Sequence, residues 1–436
     1  MRLGPNAIAT LFAAVALEAV ACAPSGLEVV PEGTWMGSIT IDGNVSTVIN
    51  ESGSVWGGTA TLVEEASIGV EVGASAYMLA RIEHITAGAD RIYVLETRPF
   101  VVRVYDMNGT HLLDIGRSGQ GPGEFGRPMS IGVLPDGRLL VRDDGNSRMH
   151  VFSQDGELLD DWSWDSYFMT SAKMVITPDG TAYSYHPVRE AGDAPGGAYG
   201  WVPFQPDGTA GDAVFMPELA FEPLSLARVT TAGTGGVRST VTFRVPFGPS
   251  TAETLSPFGA TVTGVSDRYR FEVRSFGGAV LIVERHVEPV EVHPEEAAWH
   301  RRYTTARVRE LEPQWTWNGP EIPSHKPFFT RYVHVDRGGR LWVRRPGPGR
   351  RVDDCDEHPV PGELTDIVRC WEDTHITDVF GSDGRFLGEV EFPPEAPLSI
   401  GLGRTYIDDD MVLLRLEDEA GTIMVKRYRL VVPRTR

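Results

Sequence analysis

The chain contains three cysteines, Cys22, Cys355 and Cys370, and six asparagines in 436 residues. Past the N-terminus, no apolar stretch approaches the roughly 20 residues a membrane-spanning helix requires. Positive charge is also scarce. Forty Lys and Arg stand against 60 Asp and Glu, for a formal net charge of −20. A phosphate backbone would be repelled over most of such a surface, so no nucleic-acid partner is expected. Catalytic signatures are missing as well. The glycine-rich stretch 116–126 lacks the Lys-Ser/Thr of a phosphate-binding loop, and neither a His-Glu-x-x-His motif nor a serine nucleophile elbow occurs.

Glycine and proline are plentiful: 48 Gly and 31 Pro suit a chain of frequent turns and argue against a helical bundle. Within it one pattern is written twice. Arg91-Ile-Tyr-Val-Leu-Glu followed by Val104-Tyr-Asp-Met-Asn-Gly-Thr-His-Leu-Leu113 recurs as Arg138-Leu-Leu-Val-Arg-Asp followed by Val151-Phe-Ser-Gln-Asp-Gly-Glu-Leu-Leu159. A repeat of this length is one supersecondary unit that buries its faces by stacking on its neighbours. An inner hairpin with a Gly turn appears at Ile131 to Val141, Val175 to Tyr183 and Val333 to Val343. Period-2 alternation around such turns signals β-hairpins. An outer hairpin marks Val104-Tyr105, Val151-Phe152, Val202 to Phe204 and Val379-Phe380.

Together these predict an all-β fold, a six-bladed β-propeller of four-stranded antiparallel blades. The blades fall near 85–116, 130–162, 174–216, 240–292, 328–392 and 398–432. The leftover strand-like segment, Trp35 to Ile49, is expected to pair with the last blade and close the ring, since closure removes exposed edges. One short helical insertion is predicted over 294–312. Pro294 sits in its first turn with acids behind it and arginines later, matching the helix dipole. Trp299, Tyr303 and Ala306 share the face expected to dock. A loop insertion spans 346–371.

The N-terminus reads as an address. Arg2, the apolar run Ala7 to Leu17 and Ala19-Val20-Ala21 form a signal peptide over 1–21, too short to span a membrane. Ala-Val-Ala-Cys22 fits a lipobox, making Cys22 the lipidated first residue of a tether over 22–34. It also fits an ordinary small-x-small cleavage site. Either reading exports the protein. The lipidated one places it in the cell envelope, at the outer membrane's periplasmic face or surface.

Gly119-Gln-Gly-Pro-Gly-Glu-Phe125, Pro128, Val141-Arg-Asp143, Asn146 and Arg148-Met-His-Val-Phe152 resemble NHL-repeat six-bladed propellers, strongly over about 90–162. The whole chain is similar to exported propeller lipoproteins of Gram-negative bacteria whose activity is unassigned. The resemblance implies a binding surface for a protein, peptide or glycan more than a chemistry. The glycine-rich loop is then the crossing between two blades.

Cys355 and Cys370 share one insertion, and outside the cytoplasm such a pair is usually a disulfide. Closing that loop would remove roughly 3 kcal/mol of unfolded-state freedom. The rival is zinc, through Cys355, His358, Cys370 and His375. Calcium is the other cation to consider, at Asp353, Asp354, Asp356 and Glu357 or at Asp408-Asp409-Asp410, although such runs are commonly solvated turns. No cofactor is otherwise expected. Six-bladed lactonase-type enzymes hold a metal in the tunnel with Glu, Asp and Asn from inner strands. None of the six asparagines here falls on one, so a metal-dependent hydrolase is the alternative rather than the leading reading. Arg127, Arg142, Arg331, His334 and Arg344 are expected near the rims of blades two and five. There they could grip a carboxylate or sulfate, or pair with the chain's own acids.

Overall fold

Strands form where apolar residues recur on both faces of a segment. In Arg91–Thr97 and Leu139–Asp143 nearly every side chain is buried, because each blade is covered by a neighbour on either side. The computed structural model describes residues 35–88, 90–163, 173–188, 198–232, 238–352, 370–396 and 403–433. The expected signal peptide and tether, Cys22, Cys355, His358 and the acids Asp353, Asp354, Asp356 and Glu357 lie outside these residues. Among the described residues no helix is long and apolar enough to cross a membrane.

Six antiparallel blades follow in chain order. The first holds Ile82–Gly88, Arg91–Thr97, Phe100–Asp106 and His111–Ile115. The second holds Pro128–Val133, Leu139–Asp143, Arg148–Phe152 and Leu158–Ser163. The third has Met174–Ile176, Ala182–Val188 and Ala198–Phe204. Its fourth strand is reduced to the bridges Trp201–Val214 and Phe204–Ala210. Pro206, Pro217 and Pro223 punctuate that stretch, and proline cannot donate to a ladder. The fourth blade runs Thr251–Ser256, Ala260–Val265, Arg270–Ser275 and Val280–Arg285. The fifth holds Val333–Val335, Leu341–Pro346, His375–Phe380 and Phe386–Glu391. The sixth holds Thr405–Asp408, Met411–Glu417 and Ile423–Val431.

The closing strand differs from the expectation. Ala60–Ile68, not Trp35 to Ile49, is the sixth blade's outer strand, antiparallel to Ile423–Val431 from Val425–Ile68 to Val431–Thr61. Its first residues also pair with Val390 and Glu391 of blade five. Met36–Asp42 and Val45–Ser52 form a hairpin on the outer edge of blade four, where Val45–Ser52 pairs parallel with Val280–Arg285. Alternation marks a strand without naming its partner. Here Asn50 selects it. Its amide donates to Glu284 O (2.9 Å) and Gly384 O (3.1 Å), and its Oδ1 accepts from Phe386 N (2.7 Å), tying the hairpin to blades four and five.

Blade four also begins later than predicted, at Thr251. Residues 225–232 and 238–244 form a separate two-stranded hairpin. It shares a small core of Leu226, Val229 and Val245 with Val308 and Trp315 at the end of the inserted helix, Pro294–Arg309. The helix docks through more than its aromatic face. Glu296, 1% exposed, lies 2.7 Å from the Lys326 ammonium, which is itself buried. The main cores lie between blades. Tyr93, Leu95, Val102 and Val104 of blade one pack on Ile131, Val133, Leu139 and Val141 of blade two. Each such buried side chain contributes about 1.5–3 kcal/mol.

Truncation separates the two N-terminal elements. A chain beginning at Gly53 keeps the closing strand and should unfold cooperatively at a lower temperature. A chain beginning at Gly69 should lose its cooperative calorimetric transition. Equal melting of the two would refute the assignment.

Candidate functional site

Each inner strand runs from the face that carries the linkers between blades to the face that carries the tight hairpin turns. At the linker face, where inner strands begin, a cavity of about 270 Å³ opens into the channel. Blade one contributes His84 and blade three contributes Lys173, Met174 and Val175. Blade four gives Glu253 and Thr254, while blade five gives Arg331 through His334. Trp201, 2% exposed, forms part of the wall.

The electrostatics follow from crowding unlike groups into a partly dry space. The Lys173 ammonium sits 5.4 Å from the centre of the Tyr185 ring. Burial and then the nearby Arg331 charge lower its pKa, against the pull of Glu253. Burial, followed by the Glu253 carboxylate, pushes the Tyr185 hydroxyl up to about 12. The same ring packs on Trp201 at 5.0 Å and Tyr199 at 5.5 Å. Burial holds His84 down to about 4, and its Nδ1 is sealed from solvent without a hydrogen-bond partner. His334 is lowered by burial too, partly offset by Asp336. At neutral pH the cavity therefore holds two cations, one carboxylate and two uncharged imidazoles, framed by aromatic rings.

Of the five residues expected at the rims, Arg331 and His334 meet here and the others do not. Arg142 is fully buried, with Nε 2.9 Å from Asp144. Arg344 is 3% exposed, lies 5.1 Å from the Phe392 ring, and is lowered to about 10 by burial. A ligand from solvent does not reach either one, which corrects the expectation of a shared rim. Second-strand positions of a blade face its neighbours, and the sequence pattern did not separate them from inner-strand starts. Arg127 is half-buried in the linker before blade two. Its amide and that of Gly126 donate to Asp143, at 2.6 and 2.7 Å.

The sequence reading missed Lys173 and Glu253. A signal was available: the chain has three lysines among its forty cationic side chains, Lys173, Lys326 and Lys426. The first lines the cavity and the second is buried.

The glycine-rich stretch is built as a crossing. Gly116 has φ +73°, and a Cβ there would meet the Phe125 ring at 2.2 Å. Asn146 donates to Gly119 O and Glu124 O. Asp408 to Asp410 span the turn of blade six's inner hairpin, where Asp408 accepts from Tyr406. Cys370 is 4% exposed, and its expected partner Cys355 lies outside the described residues. Glu296, His300 and Asp373 come within 4.8 Å of one another. The Lys326 ammonium, 2.7 Å from Glu296 and 3.8 Å from Asp373, already supplies the cation there.

Comparison with known proteins bears on the fold. A family model described as a 6-bladed beta-propeller, DUF5128, matches residues 74–185. The mouse NHL repeat-containing protein 3 is 40% identical over 68 residues, which cover 15% of this chain and 19% of that protein. The chain is a six-bladed β-propeller, and its likeness to NHL-repeat proteins rests on that 68-residue stretch. Its match spans about a fifth of the mouse protein's length. Solved structures similar to the propeller include a DUF4221 family member from Bacteroides vulgatus, at 8% identity and TM-score 0.46, covering 85% of this chain and 98% of that one. Virginiamycin B lyase from Staphylococcus aureus gives 10% identity and TM-score 0.38, covering 84% and 98%. The calcium-binding protein regucalcin from Agrobacterium tumefaciens gives 11% and 0.35, covering 87% and 98%.

Two predictions follow from side-chain placement. Arg331→Ala should leave the melting temperature unchanged, whereas Arg344→Ala, which empties a buried site, should lower it by several degrees; calorimetry of the pair decides. His84, His186 and His375 are each held near 4, mainly by burial. The unfolded chain takes up those protons near pH 6.5 and the folded one does not. Stability should accordingly fall as pH drops from about 6.5 towards 4. Urea midpoints at pH 7.5 and 5.0 test this, and an equal midpoint would refute it.

Proposed function

We propose that this protein is an exported binding propeller, tethered to the cell envelope through a lipid on Cys22, that receives a peptide, protein or glycan at the channel mouth. The observation that carries this reading is the cavity itself, where four inner strands bring Lys173, Arg331 and Glu253 beside aromatic rings. A concave site with a few convergent polar groups is the usual form of a ligand pocket. The helix and the strands 225–232 and 238–244 belong to the linkers flanking blade four, and the stem of the 346–371 insertion joins the second and third strands of blade five, connections that fall on the linker face. That stem pairs Arg350 with Glu372 and Arg351 with Trp371, and Val352 N donates to Cys370 O. A Cys355–Cys370 disulfide would add a covalent link at Cys370, next to this ladder.

The lactonase-type alternative requires several carboxylates and asparagines converging on a metal. Among the described residues lining the cavity, Glu253 is the one carboxylate, and the Lys173 and Arg331 charges repel a divalent cation. Binding is the better reading.

Two measurements test it. Cys22→Ser should move the protein from the membrane fraction to the soluble one, and denatured wild type should show free thiols only after reduction. Thr254→Trp, which fills the cavity, should abolish capture on peptide and glycan arrays without lowering the melting temperature. Undiminished capture by that variant would overturn the location of the site.

A further inference from the structure

Resting on the binding reading above, the geometry points to a narrower ligand: the free C-terminal carboxylate of a peptide or protein. Lys173 and Arg331 hold the carboxylate between blades three and five, and Glu253 accepts the last backbone N–H. The aromatic wall takes the terminal side chain.

Three features of the molecule carry this. First, the cavity is locally cationic in an acidic protein. Lys173 and Arg331 face one space with a single carboxylate among the described lining residues, while His84 and His334 are uncharged. Glu253 offsets part of the Lys173 charge, and with Arg331 beside it the described lining still carries more positive than negative charge, which favours an incoming anion. Second, the chain as a whole carries −20. A polyanion such as a polyuronate is repelled by that field along its length, whereas one terminal carboxylate meets chiefly the cation pair. Third, the space is small. About 270 Å³ lies just below the roughly 300–1,000 Å³ of pockets that enclose a whole drug-sized ligand, so it suits the end of a chain.

The chemistry of the lining fits each part of a peptide end. Arg331 is exposed at the mouth, where its planar fork matches a carboxylate bidentately. Lys173 is half-buried behind it and adds a compact point charge. Glu253 is the acceptor that a terminal amide N–H needs and that a second carboxylate would avoid. Trp201 and Tyr332 offer apolar surface to the last side chain. Capture of chain termini is an established mode of peptide recognition, because the terminal charge distinguishes an end from the middle of a chain.

The test uses a fluorescent pentapeptide mixture ending in a free carboxylate, the same mixture ending in an amide, and a labelled oligogalacturonate. Fluorescence anisotropy follows each with full-length protein and with the Arg331→Ala, Arg331→Lys and Lys173→Gln variants. The free-acid mixture should bind, and the amide mixture should bind at least tenfold more weakly, as loss of a charge-assisted hydrogen bond predicts. Arg331→Ala and Lys173→Gln should each weaken the free acid by a similar factor, and Arg331→Lys should restore part of it. Equal binding of acid and amide, indifferent to Arg331, would overturn the carboxylate site and leave the binding reading standing. Preference for the oligogalacturonate would overturn the peptide source. Silence from all three probes would overturn both the inference and the reading beneath it.

Discussion

Every blade in this ring buries its faces on two neighbours, so the ladder between Ala60–Ile68 and Ile423–Val431 is the contact the other interfaces depend on. Without it blade six would be left with Ile423–Val431 as an unpaired edge, and Ile68 would leave the core that blade six shares with blade one. The closing strand comes from the N-terminal side and joins a blade otherwise made from the C-terminal end. It thereby ties together residues more than 350 positions apart. It also begins on blade five, through Val390 and Glu391, which clamps two blades with one segment. Closing so long a loop costs entropy that grows only slowly with length, and a continuous ladder readily offsets it.

A second device recurs within the blades and changes sign once. At the end of the second strand, Glu96 in blade one accepts from Ala80 N and pairs with Arg103 on the third strand. In blade two the equivalent Asp143 takes the amides of Gly126, Arg127 and Gly145, with His150 3.6 Å away. Burial pushes the Asp143 carboxyl up, but His150 and those amides outweigh it and leave the pKa lowered. Blade five keeps the register and swaps the charges. Arg345 stands where the acid was, and Asp378 stands where the cation was, 3.1 Å apart. The reversal has a structural use. Asp378 accepts from Arg285 and Tyr269 of blade four, so one buried carboxylate joins two blades where a cation could not. Burying such groups is tolerable because each is paired.

The same logic shapes the channel mouth. Inner strands must converge, and wherever their first residues are polar, charges from different blades meet in a space with little water. Lys173, Glu253 and Arg331 are far apart in the chain and lie on different blades, and no local pattern couples them. Arg331 and His334 were visible as rim candidates because blade five's hairpin fixes their phase. Arg142 and Arg344 looked equivalent to them but occupy second strands, where Arg142 reaches Asp144 and the Tyr185 carbonyl of blade three and Arg344 lies buried against the Phe392 ring.

The repeat was legible in the sequence because period-2 alternation and Asp-Gly turns are local, and a strand that buries both faces leaves a dense apolar record. Blade number and the phase of most blades followed from that record, while the inserted helix was marked by Pro294 with acids ahead of arginines. Partnership did not. Trp35 to Ile49 and Ala60 to Ile68 both read as strands, and only the assembled ring assigned one to the edge of blade four and the other to closure. Asn50 made that choice through bonds to residues more than 230 positions away. Local order comes from the period of the sequence. Which edges pair, and which charges share a cavity, depends on how six units meet around one axis, because those energies exist only once distant segments touch.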